Sequence, residues 1–390
     1  MTPTRLALAQ PAVLAAILGS LATLAATGDR LPDRPAAPAP LLESVDTRLY
    51  LIGDAGAPAE REPVFEALRA ELARDPGRSL VVFLGDNIYP LGLPAPDDGG
   101  RREAERRLEA QLALVQSSGA PGIFVPGNHD WATPGAPETG WDAIRRQERH
   151  VSGRNDPGLA FLPLGGCPGP VVRDVGARLR LVVLDTEWWL REGPKPTHPS
   201  SACPEDSELE VLAALEGALA GAGTRQVVVA SHHPLASGGS HGGHFGWKDH
   251  VFPLRAKKRW LWLPLPGLGS AYPLARQAGI SNQDLAGTLN EKMRAALEGV
   301  FRTHPPLLHA AGHEHNLQVF RGRSARYLAI SGSGYYRPAS RAVTTPETLF
   351  ARAASGFMRL DLASDGRARL AVLVVDREGR GSEAFSLLLE

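Results

Sequence analysis

Residues that could bind metal ions occur in five short segments of the chain, and each segment follows an apolar run. Their side chains offer carboxylate oxygens, one amide oxygen and several imidazole nitrogens. This mixture suits iron, zinc or manganese better than calcium or magnesium, which prefer shells made of oxygen alone. The segments are Gly53-Asp54-Ala55-Gly56, Gly85-Asp86-Asn87-Ile88-Tyr89, Gly127-Asn128-His129-Asp130, Ser231-His232-His233-Pro234 and Gly312-His313-Glu314-His315.

Taken together, these segments predict a site for two metal ions. A single Gly-Asp pair is usually a turn and a single His-x-His is usually a surface pair, so no one segment decides the matter. One carboxylate can bridge two ions about 3.5–4 Å apart, and such a pair generates a hydroxide and binds a phosphate during an in-line displacement. His313 and His315 alternate with Glu314, so both imidazoles would point the same way in an extended segment.

Strand-like and helix-like segments alternate along the chain and must position these side chains. The alternation predicts an α/β fold with mixed sheets, in which ligands bind at the carboxyl ends of the strands. All five metal-binding segments lie at such ends. The predicted strands are 48–53, 79–84, 122–126, 179–185, 226–231, 306–311, 326–331, 357–362, 369–376 and 383–389, and the predicted helices are 60–74, 101–117, 205–220 and 282–299.

The composition excludes one broad class of function. Lys and Arg number 42, Asp and Glu also number 42, and the formal net charge is zero. A protein that binds nucleic acid by electrostatic attraction normally has a basic excess, so we expect no nucleic-acid partner. At 390 residues the chain can bury a large core, as one large domain or two small ones.

The N-terminal segment predicts export. Arg5 precedes a stretch, 6–26, that is rich in Ala and Leu and has no charged residue. Residues 1–28 are therefore predicted to be a signal peptide or a retained membrane anchor, with a buried helix as the alternative. Residues 29–46, rich in Pro and Ala, predict a linker. We expect a periplasmic, secreted or outward-facing anchored protein, with membrane contact through this segment if it is retained.

The cysteine pair leaves two interpretations open. The chain has two cysteines, Cys167 and Cys203, each in a Pro-rich loop. An even number of cysteines in an exported chain favours a disulfide. Two free buried thiols are the alternative.

The motifs resemble the calcineurin-like metallophosphoesterase superfamily and, within it, the small tartrate-resistant type of purple acid phosphatase. Most of the superfamily begins with Asp-x-His, but position 56 here is Gly. Purple acid phosphatases also lack that histidine and use a tyrosine three residues after the second aspartate, which is the spacing of Asp86 and Tyr89. The resemblance runs from about Arg48 to the C-terminus. It implies a four-layer β-sandwich of two mixed sheets flanked by helices, over residues 47–390.

The resemblance also implies a ligand set for a dinuclear centre. Fe(III) would occupy one position, and Fe(II), Zn(II) or Mn(II) the other. A phenolate is a hard anionic ligand that favours Fe(III) over a divalent ion. His129 would act as general acid or transition-state donor, and His241 is a weaker candidate for proton donor. The implied ligands are Asp54, Tyr89 and His315 for Fe(III), Asn128, His232 and His313 for the divalent ion, and Asp86 as the bridge.

Two features depart from the family pattern. His233 occupies a position where the family has an aromatic residue, so it could compete with His232 as ligand or support it from behind. The stretch 234–302 is longer than the family's segment and contains Lys257-Lys258-Arg259-Trp260-Leu261-Trp262. Such a sequence could seat a loop in a membrane interface or form a substrate lid. We favour an insertion packed on the core, because tryptophans are usually buried.

The expected activity is hydrolysis of small phosphomonoesters by a metal-bound hydroxide, with His129 as proton donor. A phosphodiesterase or nucleotide pyrophosphatase would share the same ligands and remains an alternative. A non-catalytic surface protein that keeps the fold is a third possibility, although such a protein would usually have lost ligands.

Overall fold

The structure is a computed structural model that describes residues 38–132, 140–199, 201–256 and 260–390. The predicted signal peptide or anchor, 1–28, lies outside these residues, as do residues 29–37 of the predicted linker. Within the described ranges, no helix is both long enough and apolar enough to cross a membrane.

The first sheet has seven strands. They are β1 (Val45–Ile52), β2 (Ser79–Leu84), β3 (Gly122–Val125), β4 (Leu159–Phe161), β12 (Gly356–Ala363), β13 (Ala368–Val375) and β14 (Gly381–Leu389). Their order is β14-β13-β12-β1-β2-β3-β4. β1 to β4 run parallel, whereas β12 to β14 form an antiparallel meander beside β1. β2 is buried along its whole length, as its unbroken apolar sequence predicts for a central strand.

The second sheet also has seven strands and is also mixed. They are β5 (Val171–Val175), β6 (Leu179–Val183), β7 (Gln226–Ala230), β8 (Leu308–Ala311), β9 (Leu317–Arg321), β10 (Tyr327–Ser331) and β11 (Thr348–Arg352). Their order is β11-β9-β10-β8-β7-β6-β5, in which β6, β7, β8 and β10 are parallel.

Helices connect the strands, and most of them pack against the outer faces of the two sheets. They are α1 (Pro63–Leu72), α2 (Arg101–Ser118), α3 (Gly140–Ser152), α4 (Glu187–Leu190), α5 (Glu208–Ala220), α6 (Trp247–Val251), α7 (Ala271–Gln277) and α8 (Thr288–Thr303). Alternate side chains of one strand face opposite sides. Val82 and Val228 pack in the core between the sheets, Phe83 packs outward with α1 and α2, and Val229 packs outward with α5 and α8. The predicted four-layer sandwich of two mixed sheets is therefore confirmed.

The elements that the sequence analysis does not predict include three edge strands, the internal strand β9 and the helices α3, α4, α6 and α7. β4, β5 and β11 are edge strands, and β4 has only three residues. An edge strand is covered less completely than a central one, so its apolar pattern is weaker. α3 buries the polar Gln147 beside Ile144, which obscures its helical periodicity. The predicted helix 282–299 is shifted, because α8 begins at Thr288 and ends at Thr303.

A disulfide joins Cys167 to Cys203, whose Cα atoms are 5.5 Å apart. Of the two interpretations left open by the sequence, the structure has the bridged pair. The bond ties the loop before β5 to the loop before α5, on the outer side of the second sheet.

Candidate metal centre

The loops after β1, β2, β3, β7 and β8 meet at one edge of the sandwich, and they contain the five predicted segments. Asp54, Asp86 and His313 have positive φ angles of 57°, 55° and 67°. This left-handed conformation is uncommon for residues with a side chain, and it persists only where the surrounding structure enforces it. The extended conformation predicted for the segment 313–315 is therefore wrong at His313. Both His313 and His315 nevertheless reach the centre.

The glycines in these segments allow the loops to approach closely. At Gly85, whose φ is 87°, a Cβ atom would lie 2.4 Å from Nδ1 of His232. At Gly312, a Cβ atom would lie 2.7 Å from a carboxylate oxygen of Asp54. Both distances are far below van der Waals contact, so glycine is required where the strand ends converge.

The first cluster of predicted ligands contains Asp54, Tyr89 and His315. The Tyr89 hydroxyl donates a hydrogen bond of 2.8 Å to Oδ1 of Asp54 and lies 3.0 Å from Nε2 of His315. Nε2 of His315 lies 3.1 Å from the same Asp54 oxygen. One carboxylate oxygen, one phenol oxygen and one ring nitrogen therefore converge on a single point. A cation at that point could contact all three atoms.

The second cluster contains Asn128, His232 and His313. Oδ1 of Asn128 lies 2.9 Å from Nε2 of His232 and 3.1 Å from Nδ1 of His313. The two ring nitrogens are 3.2 Å apart. These three atoms also converge, on the side of the site away from Tyr89.

Asp86 lies between the two clusters. Its Oδ1 is 3.4 Å from Nε2 of His232, and ligand atoms of Asp54, Asp86 and His232 all lie within 4.8 Å of one another. The same oxygen accepts a 2.9 Å hydrogen bond from the backbone N–H of His129. The carboxylate is thus placed where it could contact two ions at once.

Hydrogen bonds behind the imidazoles fix which ring nitrogen faces the centre. Nδ1 of His232 lies 2.8 Å from the Leu84 carbonyl, and Nε2 of His313 lies 2.8 Å from the Gln283 carbonyl. A carbonyl can only accept, so each of these nitrogens carries the hydrogen and the other one faces the Asn128 oxygen. Lone pairs at these distances repel unless a proton or a metal ion lies between them. The residues present therefore fit a metal pair.

A cavity of about 390 Å³ opens above the two clusters. Its floor contains Asp86, Asn128, His313 and His315, and one wall comes from the predicted insertion 234–302. The residues that line it are Asp86, Asn128, His129, His241, Tyr272, Arg276, Ile280, Ser281, Gln283, His313 and His315.

The family model of the calcineurin-like phosphoesterases matches residues 47–260. The chain belongs to this family. The match covers more than half of the chain and ends within the insertion. The comparison with curated protein sequences finds no significant match. The family and the His and Asp groups of the two clusters identify a metal-dependent phosphoesterase that can hold a dinuclear centre.

Solved structures share the fold of this calcineurin-like phosphoesterase at low sequence identity. Purple acid phosphatase PPD1 from yellow lupin (Lupinus luteus) seeds has a TM-score of 0.53 and 14% identity, over 90% of this chain and 55% of that one. GAP50, the anchor in the inner membrane complex of Plasmodium, has a TM-score of 0.51 and 14% identity over 89% of both chains. PhoD has a TM-score of 0.51 and 13% identity, over 91% of this chain and 71% of that one.

Burial and neighbouring charges set the protonation of the ligands before any ion binds. Burial and the carboxylates of Asp54 and Asp86 raise the pKa of Tyr89 well above its usual value. Burial opposes ionisation of Asp86, but the imidazoles of His232 and His129 outweigh it and lower the pKa of Asp86 to about 2. Burial also lowers the pKa of His315. The metal-free site therefore holds an ionised Asp86, a neutral phenol and a neutral His315 near neutral pH.

His129 lies beside the clusters without joining either. Its Nδ1 is 2.7 Å from the Pro90 carbonyl and so carries a hydrogen, while Nε2 is 4.0 Å from Oδ2 of Asp86. The ring lines the cavity and packs edge-on against Tyr89, with the ring centroids 4.6 Å apart. Its second nitrogen is therefore available to a bound molecule.

His241 also lines the cavity outside the two clusters. Its ring lies over that of His313, with centroids 4.0 Å apart. Nδ1 lies 2.9 Å from Oδ1 of Asp284, and Arg276 donates a 2.7 Å hydrogen bond to the other oxygen of that carboxylate. Asp284 thus orients both a histidine and an arginine that face the cavity.

His233, the competing ligand candidate, has both ring nitrogens engaged elsewhere. Nδ1 lies 2.8 Å from the hydroxyl of Thr186 and Nε2 lies 2.8 Å from Oε1 of Gln283. Although its nitrogens are close enough to those of His232 and His313 to form a three-histidine group, the hydrogen bonds favour a supporting position behind the ligands.

Three residues without a predicted role hold the site together. Asp130 accepts hydrogen bonds from the backbone N–H groups of Gly127, Asn87 and Ile88, so it ties together the loops after β2 and β3. Glu314 accepts from the His241 N–H and so joins the last motif to the insertion. Asp130 and Glu314 belong to two of the five predicted metal-binding segments, so the sequence already places a carboxylate beside the predicted ligands. Gln283 has no local signal, because its contacts join distant parts of the chain.

Proposed function

We propose that the chain hydrolyses phosphomonoesters with a dinuclear Fe(III)–M(II) centre, where M is Fe, Zn or Mn. The observation that carries this proposal is the convergence of Asp54, Tyr89 and His315 within about 3 Å, next to the second cluster. A phenol oxygen in a ligand cluster favours Fe(III), because a phenolate is hard and anionic. Asp54, Tyr89 and His315 would hold Fe(III), Asn128, His232 and His313 the divalent ion, and Asp86 both.

The residues around the centre have separate tasks in the reaction. When bound, the metal pair polarises the phosphate and lowers the pKa of water. His129 keeps its Nδ1 proton on the Pro90 carbonyl, so Nε2 faces the substrate. To act as general acid the ring must be the doubly protonated imidazolium, which gives its Nε2 proton to the leaving oxygen and returns to the neutral Nδ1–H form. His241 also lines the cavity, where Asp284 holds its Nδ1 and leaves Nε2 for the substrate.

The charges around the cavity favour a monoester over a nucleotide pyrophosphate. Within the described part of the chain, Arg276 is the only lysine or arginine that lines the cavity. It is paired with Asp284, so it is not available to neutralise a second phosphate. The small number of cationic side chains at the cavity does not distinguish a phosphodiesterase from a phosphomonoesterase. A non-catalytic protein is disfavoured because no implied ligand is missing.

The deciding experiment measures metal content and phosphate release on the same purified protein. We expect about two metal ions per chain, at least one of them iron, and faster release from a monoester such as phenyl phosphate than from diphenyl phosphate or a nucleoside diphosphate. Metal binding without hydrolysis of any ester would favour the non-catalytic alternative. Faster cleavage of the diester or the diphosphate would replace the monoesterase with the second candidate.

We also propose that the chain is exported and that residues 1–28 direct it. The apolar stretch 6–26 and the Cys167–Cys203 bridge support this, because disulfides persist in oxidising compartments. Intact mass of the protein recovered from its native host would distinguish a cleaved signal from a retained anchor. Recovery in the cytosol with residue 1 still present would refute export.

A further inference from the structure

Exposed apolar side chains are concentrated on one segment of the insertion. Of the thirteen large apolar side chains that are exposed among the described residues, eight lie between 247 and 280. They are Trp247, Trp260, Trp262, Leu263, Leu268, Tyr272, Leu274 and Ile280. The expectation of a core-packed insertion is therefore wrong for this segment. Soluble proteins rarely leave such a concentration uncovered unless it binds something.

This apolar segment forms a wall of the cavity above the metal clusters. Tyr272, Arg276 and Ile280 line that cavity at four-residue spacing, on α7 and the loop that follows it. The opposite side and the floor contain the predicted ligands and His129. The cavity thus has a polar floor and a wall with aromatic and aliphatic side chains.

Among the described residues that form this wall, the one lysine or arginine is Arg276, and it is paired. The guanidinium of Arg276 is paired with Asp284, and its Cζ atom lies over two aromatic rings, 5.8 Å from the centroid of Tyr272 and 5.4 Å from that of Phe245. Ile280 is 76% exposed and Tyr272 is 43% exposed, so their apolar surfaces are available beside the cavity. The insertion also lines the cavity with His241, Ser281 and Gln283, so the apolar part of this wall is the surface of Tyr272 and Ile280.

We propose that this wall binds the hydrocarbon chain of an amphiphilic phosphomonoester. The inference rests on the proposed function, since the phosphate must lie over the ligand clusters. The alcohol part of the ester then points away from the floor, along the wall formed by Tyr272 and Ile280. A sugar would leave its hydroxyl groups against apolar surface, whereas an alkyl chain would remove both surfaces from water.

The test uses a series of n-alkyl phosphates from butyl to decyl, each below its micelle-forming concentration. Full burial of one methylene is worth about a fourfold gain in binding, and burial of half its surface about twofold. Six added methylenes against a half-open wall should therefore raise kcat/KM by roughly tenfold to a hundredfold. Adenosine monophosphate, whose base could stack on Tyr272, is the polar competitor.

Two variants locate the effect. Ile280→Ser should lower the decyl-to-butyl ratio of kcat/KM at least about threefold, and Tyr272→Ser should lower it similarly. Leu209→Ser is the matched control, because Leu209 is 80% exposed on α5 and does not line the cavity. Its chain-length dependence should equal that of the wild type.

The outcomes separate this inference from the proposed function. Failure to hydrolyse any ester would refute both. Hydrolysis with equal kcat/KM for butyl and decyl phosphate would overturn the inference alone, as would a preference for the nucleotide. A chain-length effect that survives both substitutions would also overturn it, because the hydrocarbon would then bind elsewhere.

Discussion

Tyr89 makes the most specific prediction, because it must lose a proton to bind Fe(III). Its hydroxyl donates to Asp54 in the metal-free site, and its pKa lies well above 10.0. An ordinary phenol with a pKa of about 10 already costs about 7 kcal/mol to ionise at pH 5, at 1.36 kcal/mol for each pH unit, and burial in this site adds to that cost. If Tyr89 binds Fe(III) as proposed, the ferric ion must supply this free energy, and its binding must release the tyrosine proton.

We expect Tyr89→Phe to release one proton fewer per ferric ion bound. The pKa of a phenol in this site is raised, so the group is fully protonated throughout the acid and neutral range. For each unit by which the pH is raised, the association constant of the wild type for Fe(III) should therefore increase ten times more than that of the variant. Titration calorimetry with ferric nitrilotriacetate, in buffers of different ionisation enthalpy, counts the protons directly.

The visible spectrum gives an independent measurement of the same bond. The oxidised wild-type protein should show a charge-transfer band and a violet or pink colour, and Tyr89→Phe should be colourless. Tyr335→Phe is the matched control, since its ring lies 6.3 Å from that of Tyr89 and its hydroxyl pairs with Arg337. Equal proton release by the wild type and the variant, or a band that survives in Tyr89→Phe, would refute the assignment of Tyr89 as ligand.

Four other predictions follow from the same geometry. His129→Ala should keep both metal ions and lower kcat by roughly 10²–10⁴, and loss of an ion in that variant would contradict its assignment as proton donor. Asp86→Ala should lose both ions and nearly all activity, because two cations would face each other without a shared anion; full metal occupancy by elemental analysis would count against the bridge. Gln283→Ala should lower the free energy of unfolding by about 1–3 kcal/mol in denaturant titrations, because it leaves buried Glu187 and His233 without their partner; no change would show that these groups find another one. A chain that starts near Pro40 should fold and hydrolyse esters at the rate of the full chain, and failure to fold would place residues 1–28 in the core.

Local sequence was enough to predict where the ligands lie along the fold. A short apolar run such as 79–84, rich in Val and followed by Gly, favours a buried strand, and the Gly-Asp or Gly-His at its end favours the loop beyond it. Parallel strands bring such loops to one edge, so the meeting of the five segments followed from short-range pattern and fold class. The two mixed sheets and their flanking helices were predicted for the same reason.

Tertiary structure decided the features that depend on contacts between distant residues. Cys167 and Cys203 could have been free or bridged, and only the relative position of two loops brings them together. His232 and His233 are equivalent in sequence, but Gln283 and Thr186 engage both nitrogens of His233.

The insertion shows the same limit most clearly. Its tryptophans and leucines were expected in a core, because side-chain type predicts average burial. Helices such as α1, α2, α5 and α8 pack on the two sheets, whereas several of these residues are exposed, and Tyr272 and Ile280 lie beside the cavity. The composition of a segment predicts how much apolar surface it could bury. Whether that surface is buried depends on the tertiary structure, which decides what the segment packs against.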